Sequence, residues 1–112
     1  MAHKEFDTYW LAYLAAHSKP ATRACHYVGT LLGIFIGIPL SASIAWWAFP
    51  VLGAIGYGIA LASHPLVQGN RPFASRPVWG LACDLRMLLL AATNQLTPHL
   101  LRAKPSAISP SD

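Results

Sequence analysis

The sequence predicts an all-α protein, a helical hairpin embedded in a membrane and flanked by interfacial amphipathic helices. Three observations carry that expectation. Of 112 residues, 54% are hydrophobic and only 11% charged, against a charged share of about 25% in soluble domains. Between Arg23 and Arg71 lie 47 residues without a single Asp, Glu, Lys or Arg. Inside that stretch the apolar run from Tyr27 to Ala62 is 36 residues long, roughly 54 Å of helix at about 1.5 Å per residue. A hydrocarbon core is about 30 Å thick, so the run is too long for one crossing and close to two once the first begins near Arg23.

Each element follows from local pattern. In Glu5 to His17, the residues Phe6, Tyr9, Trp10, Tyr13, Leu14 and His17 recur in steps of three and four, the signature of an amphipathic helix. Its Trp and Tyr favour the headgroup level, which places it at the membrane surface. Ser18-Lys19-Pro20 ends it, because a residue before proline is pushed out of the α region. A second helix opens at Ala21 or Thr22, with Thr22 as its cap. The chain then turns between Pro39 and Pro50, anchored at the far interface by Trp46, Trp47 and Phe49. Gly29, Gly33 and Gly37 form a ridge on the first span, and Gly53, Gly56 and Gly58 cluster on the second; small residues let helix backbones approach closely in lipid.

Ser63 to Pro72 reads as a turn-rich polar segment. Val78 to Leu96, after Pro77, reads as a helix whose apolar face is Trp79, Leu81, Ala82, Leu85, Leu88, Leu89 and Ala92, lying in the interface or docking on the hairpin. Residues 1–102 thus form one helical membrane domain, and the Pro- and Ser-rich residues 103–112 a disordered tail. The first apolar block starts well past Met1, with no short apolar region and cleavage site before it, so no secretory signal is expected.

The formal net charge is +4, yet the basic residues stand singly on both sides of the apolar block. Nucleic-acid binders cluster them in a stripe, so no nucleic-acid partner is expected. The same distribution puts both termini in the cytoplasm; the expected location is an integral membrane, either a bacterial inner membrane or an endoplasmic reticulum. Cys25 and Cys83, without CxxC spacing, read as small buried hydrophobes.

The histidines carry the chemical signal. His3 and His99 sit near the ends and receive no role. His17 and His26 precede the first span and His64 follows the second. A hairpin returns to the side it left, so all three reach one interface although 38 residues separate His26 from His64. Three imidazoles at one level suit Zn, Fe, Cu or Ni, but no HExxH signature names a reaction. The spacing alone leaves open that they cap helix ends, or that two of them hold a haem. Arg23 and Arg71 bracket the apolar block on the same side. Guanidinium suits bidentate carboxylate recognition, and both also serve as positive-inside anchors.

His17-Ser18-Lys19-Pro20 with Arg23, His26, Gly29 and Thr30 resembles the first motif of a family of membrane 2-hydroxy fatty acid dioxygenases. That family contains the fungal endoplasmic-reticulum enzyme of phytosphingosine breakdown, along with short bacterial-type relatives. Ser63-His64-Pro65, Asn70-Arg71-Pro72, Pro77-Val78-Trp79 and Asp84-Leu85-Arg86-Met87 look like its second motif. The resemblance spans roughly Phe6 to Met87. It implies Fe(II)-dependent α-oxidation, in which a 2-hydroxy fatty acid and O2 give the acid one carbon shorter and carbon dioxide. It also implies His17, His26 and His64 as iron ligands, with Asp84 as the nearest carboxylate for a two-His, one-carboxylate set. Arg23 or Arg71 would then pair with the substrate carboxylate, its tail left in the lipid bilayer. One departure stands out: many relatives carry an acidic residue where this chain has Gln68. The alternative from another class is a non-catalytic membrane protein that associates, as a homo-oligomer or with a partner, through its glycine ridge. Bound metal and lipid oxidation separate the first reading from the second.

Overall fold

The computed structural model describes residues 2–71 and 76–103, with side chains from Lys4 onward. Among them the chain is all-helical: α1 (Ala2–Ala15), α2 (Pro20–Thr30), a π-helical segment Leu31–Ile36, α3 (Gly37–Ser43), α4 (Ala48–Ser63), a second π-helical segment His64–Gln68, α5 (Pro77–Ala92) and α6 (Thr97–Ala103). Residues 104–112 of the expected tail and Pro72 of the second motif lie outside the described residues. The chain divides into two compact units, Lys19–Pro72 and a second built from Met1–Ser18 and Phe73–Asp112.

The first unit is the hairpin. α2, the π segment and α3 run unbroken from Pro20 to Ser43, and α4 with its π segment from Ala48 to Gln68. At 24 and 21 residues, both are long and apolar enough to cross a membrane, and only 22% of each apolar window is buried within the protein. Phe35, Ile55 and Leu66 are exposed. Apolar helices whose sides stay uncovered by protein suit lipid as their solvent.

The turn falls at residues 44–47, inside the expected interval. Its cap was not legible from sequence. The Ser41 hydroxyl donates to the Trp46 carbonyl at 2.8 Å and accepts the Phe49 amide at 2.6 Å, which satisfies one open N–H at the start of α4. Trp46 and Trp47 are exposed, with Phe49 less so.

Glycine sets the spacing of the two spans. A Cβ on Gly29 would collide with the Gly56 carbonyl, and one on Gly56 with the Gly29 carbonyl. A Cβ on Gly33 would come within 3.1 Å of the Gly53 Cα, and one on Gly37 within 3.3 Å of the Phe49 Cα. The ridge is therefore occupied inside the hairpin. Gly58 meets nothing within 4 Å and takes no part.

Two boundaries differ from expectation for reasons of proline chemistry. Pro20 is the first residue of α2 and Lys19 its extended N-cap at φ −83°, ψ 134°, as a residue before proline requires; Thr22 sits inside the helix and does not cap it. Ser63 to Pro72 is also not a loop throughout, because helix continues to Gln68. Pro65 lacks the N–H that an α-helix would return to Leu61, and the His64 amide closes on the Leu61 carbonyl instead. The backbone widens to π register and ends where Gly69 adopts φ 84°, a left-handed conformation natural to glycine.

The second unit packs α1 with α5 and α6. Tyr9, Trp10, Tyr13 and Leu14 of the stripe on α1 are buried, so these side chains are protein core. The rings of Phe6 and Tyr9 meet Trp79 edge-on at 5.6 and 5.4 Å. The Trp10 indole donates to His99 Nδ1 at 3.1 Å, giving His99 a structural role. On α5 the inward residues are Cys83 and Met87, while Leu81 and Leu89 of the expected apolar face are exposed. α5 also stops at Ala92, earlier than Leu96. Asn94 at φ 61° turns the chain, and Pro98 opens α6 in its first turn.

Candidate metal centre

Two of the predicted histidines meet in the hairpin. His26 lies one and a half turns into α2, and His64 begins the π segment that extends α4. Both are buried, and their Nε2 atoms face each other at 3.2 Å with the rings at 82°. The base of the hairpin is tied where they meet. Gln68 Oε1 accepts the Lys19 amide at 3.0 Å and the Thr22 hydroxyl at 2.8 Å, and Lys19 Nζ donates to the Val67 carbonyl at 3.0 Å. Gln68 thus holds the start of one span to the end of the other, a task for an acceptor oxygen that Gln and an acidic residue can both perform.

His64 has a second partner. Its Nδ1 lies 2.8 Å from Asn70 Oδ1, and an amide oxygen can only accept, so Nδ1 carries a proton and, in the neutral ring, Nε2 keeps its lone pair. The loop wraps back to make this bond: the amides of Gly69 and Asn70 both donate to the His64 carbonyl, at 2.6 and 3.0 Å.

His17 belongs to the other unit and lies just past α1. It is 1% exposed. Its Nδ1 donates to the Tyr13 carbonyl at 2.6 Å, which in the neutral ring leaves Nε2 as the unprotonated nitrogen, and its ring stacks on Tyr13 at 4.1 Å. The Tyr13 hydroxyl donates to the Asp84 carboxylate. Burial pushes the Asp84 carboxyl up to about 7.

His26 and His64 pair two imidazoles that could hold a metal ion, and His17 of the other unit offers an imidazole of the same kind, whereas the Asp84 carboxylate is engaged by the Tyr13 hydroxyl. Two nitrogens bound to one metal at about 2.1 Å each stand about 3.0–3.4 Å apart at angles between octahedral and tetrahedral, and the His26–His64 spacing falls within that interval. Of the expected carboxylate-binding arginines, Arg23 is half-buried beside Tyr27, whereas Arg71 is exposed. Sequence reasoning overlooked the part played by Asn70, although its place six residues after His64 and behind a glycine was visible.

A family model described as 2-hydroxy-palmitic acid dioxygenase Mpo1-like matches residues 3–96. No curated protein and no solved structure matches the chain.

Proposed function

The chain belongs to the Mpo1-like family, and from that premise we propose that it is an Fe(II)-dependent dioxygenase acting on 2-hydroxy fatty acids at a membrane surface. The observation that carries this reading is the His26–His64 pair, facing at 3.2 Å at the base of a membrane-length hairpin. His17 is assigned as the third ligand, since its Nδ1, like that of His64, is committed to an oxygen acceptor.

When bound, iron would supply an electron-rich centre at which dioxygen and the substrate react. The chain's own residues do the rest. His17 and His64 present unprotonated nitrogen because each is committed to an oxygen acceptor through Nδ1. Arg23, three residues before His26, and Arg71, next to Asn70, supply guanidinium for the substrate carboxylate. The apolar sides of the spans accommodate the acyl tail in lipid. The overall reaction balances without a further reductant: one 2-hydroxy acid and one O2 give the acid one carbon shorter, carbon dioxide and water. Both termini are assigned to the cytoplasmic side.

Purified protein loaded with iron is expected to consume one O2 per 2-hydroxy fatty acid and to release one carbon dioxide. Replacing His26 and His64 together with Ala should remove at least 99% of that rate in protein that still inserts in membranes. A full rate in the double variant overturns the proposal.

A further inference from the structure

We infer that Asn70 is a positioning residue that fixes the tautomer of His64 and thereby presents its Nε2 to the metal. The inference rests on the metal reading of the preceding section and assigns a task to a residue outside the ligand set.

Histidine has two neutral tautomers, and only one leaves Nε2 able to bind a cation. In the hairpin the side chain of His26 meets His64 at Nε2. A neutral imidazole left to itself could place its proton there and turn the lone pair into an N–H. Asn70 removes that option by accepting a hydrogen bond from the other side, which holds the proton on Nδ1. Its reach is built into the backbone. Gly69, at φ 84°, reverses the chain after the π segment, and the His64 carbonyl receives both following amides. Asn70 is therefore anchored to His64 through main chain and side chain at once. The widened π register of His64–Gln68 belongs to the same device, since such widened turns occur often at functional sites. Orienting partners of this kind typically change metal affinity by about 10–100-fold.

The test uses the full chain in detergent, metal-free and then titrated with Co(II) as a spectroscopic probe. In metal-free wild-type protein, imidazole nitrogen NMR is expected to find His64 protonated at Nδ1 and bare at Nε2. In Asn70→Ala that preference should be lost and Co(II) affinity should fall about 10–100-fold. Asn70→Asp, which keeps an acceptor oxygen, should restore both, and thermal unfolding of each variant establishes that it is folded. A wild-type His64 protonated at Nε2, or a folded Asn70→Ala protein with unchanged tautomer and Co(II) affinity, overturns the inference while leaving the metal reading intact. Wild-type protein that shows the expected tautomer but binds no Co(II) overturns the metal reading and supports Asn70's hold on His64.

Discussion

Asp84 lies on α5 behind the Tyr13 hydroxyl, and its burial has a consequence for stability. A carboxyl raised to about 7 in the folded protein still titrates near 4 when unfolded. Between those values the folded state holds a proton that the unfolded state has lost. Stability contributed by this group is therefore full at the acid end and declines as pH rises from about 4 to about 7. Asp84→Asn cannot ionise, and thermal unfolding of that variant in detergent is expected to lose this part of the decline. An undiminished slope would place the titration elsewhere. At this scale the sequence was informative about identities and weak about partners. His26 and His64 were legible because the topology of a hairpin brings distant positions to one level; His17, in the other unit, was legible only as a further imidazole ahead of the first span. Asn70, His99 and Tyr13 were not, because a hydrogen bond to an imidazole leaves no periodic signal. Asp84 was legible as an isolated carboxylate but not as the acceptor of a tyrosine hydroxyl.

Among the elements, the two spans depend on each other through glycine. Gly29 and Gly56 touch through their backbones, and Gly58, two residues on, faces open space. Gly56→Leu is expected to force the spans apart and to lower the thermal midpoint sharply, with loss of bound metal because His26 and His64 separate. Gly58→Leu should leave both unchanged. Equal effects of the two substitutions, read by thermal unfolding in detergent, would contradict this packing. The spans themselves were readable from 47 uncharged residues, and the turn from its tryptophans. The continuation of α4 through His64 was hidden by Pro65, which reads as a helix breaker but is absorbed here by a change of register. The inward face of α5 was misread for a related reason. Leu81 and Leu89 look like core residues by hydrophobicity, yet α5 turns Cys83 and Met87 inward, so apolar character alone did not identify the buried side.

For the whole molecule, the physical claim is that a chain able to double back through lipid makes neighbours of two histidines 38 residues apart. Hydrogen bonds from Lys19 and Thr22 to Gln68 tie the open end of that hairpin, so the pairing is a property of the fold and not of one side chain. Gln68 makes that tie through an acceptor oxygen, a group that an acidic side chain would offer equally. On the proposed reading the chemistry is 2-hydroxy fatty acid oxidation, and the buried nitrogen pair of the hairpin would hold its metal. The most direct test is the iron content of anaerobically reconstituted, detergent-purified protein, measured for wild type and for His26→Ala and His64→Ala. The account predicts about one iron per chain in wild type and loss of most of it in either variant, since each supplies one of a small set of ligands. Iron retained in full by both variants would contradict it.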